Sequence, residues 1–210
     1  MKKERKLTSA ELRRKESYNK ICDEMEQLGY QKKDFTIGVV LANILAVIIM
    51  LPFVIAVGWL YYMVNPADSG EFSLAGSIIW FSIFFLLIVL HEVIHGLTWG
   101  LFAKNHLNSI SFGIIWKFLT PYCTCSEPLK KWQYALGGAM PTLILGFILS
   151  IVAVIFKRFE MLMMSELMIL AGGGDFFILL KMFLYRPHNK EVLYYDHPYE
   201  CGFVVFEKNR

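Results

Sequence analysis

Residues 86–96 have the sequence Leu-Leu-Ile-Val-Leu-His-Glu-Val-Ile-His-Gly. His91 and His95, four residues apart, lie on one face of a helix, where both imidazoles can reach one metal ion. Glu92 follows the first histidine and is placed to act as a general base. Residues 74–103 around this motif are almost wholly apolar. Ionisable side chains are costly in such surroundings, so the pattern predicts a functional site inside a membrane helix.

The same three residues also have a purely structural interpretation. The two histidines could form hydrogen bonds with neighbouring helices, and Glu92 could pair with a lysine. A His-Glu-x-x-His pattern is unusual by chance in an apolar run, and this favours the metal site.

The composition is that of a membrane protein that crosses the bilayer several times. Of all residues, 56% are hydrophobic and 15% are aromatic. A membrane-spanning helix needs about 20 apolar residues. Four segments meet this length: Thr36–Val64, Leu74–Ala103, Ala135–Phe156 and Met161–Tyr185. The sequence therefore predicts a membrane all-α fold with four transmembrane helices.

The basic residues predict the orientation of these helices. In the four-span topology, 19 of the 21 Lys and Arg residues lie before the first span, in the second loop or in the tail. Basic residues collect on the cytoplasmic side, so both termini are expected there and the protein in the cell membrane. This asymmetry accounts for the net charge of +3 without a nucleic-acid partner. The four cysteines should be reduced on that side.

The chain divides into three parts on this interpretation. Residues 1–35 form a cytoplasmic leader with an amphipathic helix between a capping box at Thr8–Glu11 and a stop at Gly29. This helix could lie on the lipid surface, on the bundle or in solvent. Residues 36–185 form the transmembrane domain. Residues 186–210 form a cytoplasmic tail with a short β-hairpin of Val192–Tyr195 and Phe203–Phe206.

A second hairpin is predicted in the loop 105–134, as a re-entrant or interfacial element on the cytoplasmic side. Residues 110–118 alternate in the manner of a strand, and Tyr122–Ser126 could form its partner. The edge of this hairpin could bind an extended peptide, or the hairpin could only cap the bundle. Cys123 and Cys125 could bind metal or respond to redox state, but two cysteines alone do not make a zinc site.

Asp175 is the candidate for a third metal ligand. His91 lies 17 residues beyond Leu74, or about 25 Å along its helix, and Asp175 lies 14 residues beyond Met161, or about 21 Å along the next helix that runs the same way. Three glycines at 172–174 could open that helix or let a neighbour approach. Asp175 could instead pair with Lys181 or with a histidine without metal. In the tail, Asp196 and His197 are expected to shape a turn rather than bind metal.

The motif at residues 91–95 together with Asp175 resembles the site-2 protease class of intramembrane zinc metalloproteases. The chain is still more similar to a bacterial family of small membrane proteins called "putative zincin peptidases", on residues 123–129, Pro141, Asp175 and residues 196–198. The resemblance implies that His91, His95 and Asp175 bind Zn²⁺ and that Glu92 is the catalytic base. Site-2 proteases usually have a glycine after the ligand aspartate, whereas Phe176 follows Asp175 here.

The sequence thus predicts an intramembrane zinc metalloprotease of the His-Glu-x-x-His type. Its partners would be the lipid bilayer and a peptide or membrane-protein substrate. Two alternatives remain open: a non-catalytic zinc-binding membrane protein, such as a sensor or accessory subunit, and a small ion-coupled transporter. The sequence does not indicate the substrate-binding residues or the oligomeric state.

Overall fold

The computed structural model describes the backbone of residues 9–66, 73–115, 120–197 and 200–208. Helix α1 spans Ser9–Gln27 and strand β1 spans Tyr30–Ile37; α2 and α3 follow at Val39–Val64 and Leu74–Gly100. Gly29 has a φ of 82°, the left-handed conformation that often follows a helix end. The predicted stop of the first helix is therefore confirmed. Residues 1–8, in which the predicted capping box begins, lie outside the described part.

A two-stranded hairpin follows α3, after a short 3₁₀ turn at His106–Ser109. Strands β2, Ile110–Ile115, and β3, Thr120–Cys125, are antiparallel, with Phe112 opposite Cys123. This confirms the hairpin expected within residues 105–134, although Trp116–Leu119 of the expected strand lie outside the described residues. The short strand β4, Leu129–Lys130, leads directly into the next helix.

The third long helical segment has a change of pitch in its middle. Helix α4, Lys131–Pro141, continues as a π-helical segment, Thr142–Ile148, and then as α5, Leu149–Phe156. Proline lacks an amide hydrogen and disturbs the i to i−4 hydrogen-bond pattern, so a π segment directly after Pro141 has a local cause.

The fourth expected span, Met161–Tyr185, is broken near its middle and is not one continuous helix. It consists of α6, Phe159–Ala171, and α7, Gly173–Leu184, which are bent by 43° at Gly172. Among the described residues, three helices are long and apolar enough to cross a membrane, and the bent pair would make a fourth. The break has a physical cause in the glycine run, which weakens helix continuity.

The tail is part of a larger sheet than the sequence indicates. Strands β5, Val192–Asp196, and β6, Cys201–Lys208, pair as expected, but β6 also pairs with β1 and β5 with β4, in the order β1-β6-β5-β4. The expected boundary between leader and membrane domain at residue 35 therefore falls inside a strand, and the first long helix begins at Val39 rather than Thr36.

Strand β6 is buried on both of its faces. Phe203 and Val205 of β6 pack against the ends of α3, α4 and α7, whereas Val204 and Phe206 pack against Tyr18 and its neighbours in α1. A strand covered on both faces is a continuous apolar run rather than an alternating one, as residues 203–206 are. Helix α1 is thus packed on the sheet, which excludes the solvated leader.

All strands lie at one end of the helical bundle. The chain enters this end before α2 and α4, and returns to it after α3 and α7. His91 and His95 lie in the last three turns of α3. The sheet, the hairpin and the motif therefore share one end of the molecule, and the C-terminal ends of α2 and α5 lie at the other.

Candidate metal centre

The structure brings His91, His95 and Asp175 together. The Nε2 atoms of His91 and His95 lie 3.1 and 3.2 Å from Oδ2 of Asp175. Among the described residues, these three form the one group whose possible ligand atoms all lie within 4.8 Å of one another. The convergence follows from two local causes: i, i+4 spacing on α3, and the start of α7 at Gly173, which places Asp175 in its first turn.

The donor set fits zinc. Two imidazole nitrogens and one carboxylate oxygen are ligands that zinc takes, and three protein ligands leave a fourth position open, as in catalytic sites. Zinc–ligand bonds of about 2.0–2.1 Å in a tetrahedron place neighbouring ligand atoms about 3.3 Å apart. The two separations from Asp175 to the histidines are close to this value.

The two histidines are oriented in different ways. Nδ1 of His95 donates a hydrogen bond of 2.8 Å to the carbonyl oxygen of Gly137 in α4. This contact leaves the lone pair of Nε2 for a metal, because only one nitrogen of neutral imidazole carries a hydrogen. Nδ1 of His91 is buried and has no hydrogen-bond partner among the described residues. His95 is therefore the more firmly preorganised of the two candidate ligands.

Two aromatic side chains form a stack against the His95 ring. The indole of Trp99 stacks on the His95 ring at 5.1 Å and on Tyr134 at 5.6 Å, and its Nε1 donates to the Tyr134 carbonyl. Gly137 makes room for this stack, since a Cβ at that position would collide with the indole ring. The sequence analysis missed Trp99 and Tyr134; the signal was that Trp99 continues the i, i+4 series of His91 and His95.

Glu92 lies beside the three candidate ligands and outside their group. The Glu92 carboxylate lies within reach of the Cys123 backbone in β3. Strand β2 of the same hairpin approaches α3 closely because Gly96 has no side chain: a Cβ there would meet the side chains of Phe112 and Ile110 within 3 Å. The hairpin is therefore a wall of the site rather than a remote cap.

A family model described as "Putative zincin peptidase" matches residues 84–190, just over half of the chain. The chain belongs to this family. The matched region of this zincin-family protein contains the motif on α3, the hairpin, α4 and Asp175. The family description implies a metallopeptidase with zinc as its metal. No curated protein and no solved structure matches the chain.

The remaining candidates lie outside the three-residue group. Asp196 accepts a hydrogen bond from the Tyr134 hydroxyl at 3.1 Å, and Nδ1 of His197 accepts one from the Glu200 backbone. Cys123 and Cys125 are buried, and burial raises the pKa of the Cys125 thiol to about 12. Neither thiol belongs to a group of side chains that could share a metal ion among the described residues. Lys181 lies over the ring of Phe177 rather than against Asp175.

Proposed function

We propose that this zincin-family protein is an intramembrane zinc metalloprotease that hydrolyses peptide bonds in membrane-associated or membrane-spanning substrates. The observation that carries the proposal is the convergence of His91 and His95 on Asp175, with Glu92 beside them on the same helix. These residues supply the ligand set and the base that peptide hydrolysis at zinc requires.

The chain's own residues divide the chemistry between them. His91, His95 and Asp175 hold zinc, which when bound polarises the scissile carbonyl and the attacking water. Glu92 takes the proton from that water and delivers it to the leaving amine nitrogen, so one carboxylate acts first as base and then as acid. The Cys123 backbone beside the Glu92 carboxylate would help to hold this carboxylate in place next to the candidate ligands.

The position in the membrane rests on the exposed surface of the helices. Large apolar side chains cover the outer sides of α2 and α3, including Ile44, Ile48, Ile55, Phe81 and Phe85. Apolar patches of this extent are rare on water-soluble monomers and are expected to contact lipid. The distribution of basic residues favours a cytoplasmic location of both termini, so a cysteine introduced at Ser69 should react with an impermeant reagent added to intact cells. Reaction of Cys201 from outside would contradict this topology.

Substitution of Glu92 distinguishes the protease hypothesis from the two alternatives, a non-catalytic zinc protein and a transporter. Glu92→Gln removes the base and keeps the size, so the variant should retain zinc. Its cleavage of substrates found by comparing membrane proteomes of wild-type and His91→Ala cells should fall at least about 100-fold. Glu166→Gln is the matched control, because Glu166 is a half-buried carboxylate of α6 whose side chain lies near Gly58 instead. Equal cleavage by Glu92→Gln and wild type would refute the mechanism.

A further inference from the structure

Asp196, at the end of β5, is connected to the candidate metal centre although it is not one of the candidate ligands. Its Oδ1 accepts a hydrogen bond of 3.1 Å from the hydroxyl of Tyr134. The Tyr134 ring stacks on the Trp99 indole, and that indole stacks on the His95 ring. One hydrogen bond and two ring contacts therefore join Asp196 to a candidate ligand. The region that the family model matches ends at residue 190, so Asp196 lies beyond it.

The sheet fixes the position of the Asp196 carboxylate. Strand β5 pairs with β6 on one side and with β4 on the other, and Asp196 lies opposite Phe203. Alternate residues of a strand share a face, and Tyr194 and Phe203 both belong to the core that lies between the sheet and the bundle. Asp196 is thus on the face of the sheet that is directed toward α4. Because β4 leads straight into α4, the two segments that carry this hydrogen bond are also joined by strand pairing.

Tyr134 determines the orientation of the Trp99 indole in two ways. Its ring covers one face of the indole, with the centroids 5.6 Å apart, and its backbone carbonyl accepts a hydrogen bond of 3.2 Å from the indole Nε1. Tyr134 is almost fully buried, so its hydroxyl needs an acceptor inside the protein, and Asp196 supplies one. A shift of the tyrosine ring would displace the indole, and the His95 ring would lose its support.

We propose that Asp196 is a positioning residue of the candidate metal centre, which holds the His95 ring in its metal-binding orientation through the aromatic stack. The proposal rests on the metal centre of the proposed function and is independent of hydrolysis. Groups that orient a metal ligand from outside the ligand set influence metal affinity. The Gly137 carbonyl and the stack support His95 in this manner, and Asp196 extends the support to the sheet. The tail is therefore a part of the centre.

A second tyrosine–aspartate pair of the same sheet provides a matched control. The Tyr18 hydroxyl of α1 donates a hydrogen bond of 3.2 Å to Oδ1 of Asp34 in β1, and Tyr18 is also almost fully buried. Tyr18 packs with Val204 and Phe206 on the opposite face of the sheet, away from the candidate ligands. A general loss of stability should follow from breaking either pair, whereas a loss of support for His95 should follow only from breaking the Tyr134–Asp196 pair.

The first measurement is the zinc affinity of the full-length protein in detergent, by competition with a fluorescent chelator. Asp196→Ala and Tyr134→Phe should each lower the affinity about tenfold, the lower end of the range for groups that support a ligand. The double variant should also lose about tenfold, because both changes remove one interaction, whereas independent effects would multiply to about a hundredfold. Asp196→Asn keeps an acceptor oxygen and should restore most of the affinity. Asp34→Ala and Tyr18→Phe should leave it unchanged.

The second measurement needs no metal. In metal-free protein with isotope-labelled histidine, the Nδ1 hydrogen that His95 donates to the Gly137 carbonyl should give a slowly exchanging NMR signal, identified by its absence in His95→Ala. Asp196→Ala and Tyr134→Phe should lose this signal, because the ring is no longer held in place. Both variants of the control pair should retain it.

Four results in the zinc measurement would overturn the proposal: unchanged affinity in Asp196→Ala, multiplied losses in the double variant, equal losses from the control pair, or an Asp196→Asn variant as weak as Asp196→Ala. The last would assign the effect to the charge rather than to the hydrogen bond. A wild-type protein that binds no zinc would contradict the proposed function alone. The NMR signal would then still decide the positioning role, which its loss in Asp196→Ala would support and its retention would contradict.

Discussion

The arrangement around His95 shows how one side chain can be fixed for metal binding by groups that never touch the metal. Nδ1 of His95 donates a hydrogen bond to the Gly137 carbonyl oxygen, and the His95 ring stacks on Trp99. Both contacts depend on the close approach of α3 and α4 at Gly137. The ligand geometry on α3 is therefore set partly by a glycine on another helix.

Gly137→Ala should weaken zinc binding without removing a ligand. The added methyl group collides with the Trp99 indole and displaces the stack that holds His95. Loss of such supporting contacts typically costs about 10- to 100-fold in metal affinity, which competition with a fluorescent chelator would measure. Gly38→Ala is the control, since a Cβ there meets nothing within 4 Å. Unchanged affinity in Gly137→Ala would show that the stack does not position His95.

The three candidate ligands were accessible from the sequence, whereas their supports were not. Helical spacing and depth in the membrane are one-dimensional quantities, and they were enough to associate Asp175 with His91 and His95. The Trp99–Tyr134 stack depends on how α3 and α4 are rotated against each other, which no local pattern specifies. Only the i, i+4 position of Trp99 relative to His95 indicated its face.

The three glycines at the α6–α7 break, Gly172 to Gly174, are not equivalent in their packing. A Cβ at Gly172 would collide with the Thr142 hydroxyl and lie 2.9 Å from its Cβ, and a Cβ at Gly173 would lie 2.8 Å from that of Ala46. These two glycines allow close helix packing, as expected from the sequence. A Cβ at Gly174 would meet nothing within 4 Å, so this glycine is not required for packing.

Gly172→Ala should therefore lower the stability of the protein, whereas Gly174→Ala should not. Gly172→Ala forces α6 and the π-helical segment apart and should lower the thermal unfolding midpoint of the detergent-purified protein. Gly174→Ala should leave the midpoint unchanged or raise it. Alanine favours the helix over glycine by up to about 1 kcal/mol in the free energy of unfolding. Adding Thr142→Ala should recover part of the Gly172→Ala loss. Equal midpoints for the two alanine variants would contradict the packing account.

Strand β1 shows why the sheet could not be predicted in full. Residues 30–37 are Tyr-Gln-Lys-Lys-Asp-Phe-Thr-Ile, a charged stretch next to a basic leader, and charged residues are common on edge strands. The partner of β1 is β6, at the opposite end of the chain. Local periodicity revealed the two hairpins but not the pairing of β1 with β6, since the partners are so distant in sequence.

A polar network connects strands β1 and β6 with the C-terminal end of α7. Lys33 of β1 and Glu207 of β6 form an ion pair of 2.7 Å, and both contact the hydroxyl of Tyr185 directly after α7. Since Asp175 lies in the first turn of α7, this network connects the sheet to the helix that carries the third candidate ligand. Breaking it should loosen the sheet from the bundle.

Stability should fall in acid through Glu207. The Lys33 ammonium holds the pKa of this carboxyl at about 2 against an ordinary 4.5. A lowered pKa stabilises the folded protein above pH 4.5, and this stabilisation is lost as the pH falls toward 2. Glu207→Gln should flatten the fall of the unfolding midpoint in this range. Glu191→Gln removes a carboxylate from an exposed pair with Lys208 and should flatten the fall of the midpoint less. Equal flattening by the two variants would contradict a special role of Glu207.

Zinc content tests the metal centre most directly. Protein purified in detergent and analysed by inductively coupled plasma mass spectrometry should contain one zinc per chain. His95→Ala should contain almost none and Asp175→Ala little, because two ligands hold zinc poorly. His188→Ala, which changes an exposed histidine of the tail, should retain the full amount. Full zinc retention in His95→Ala would contradict the site.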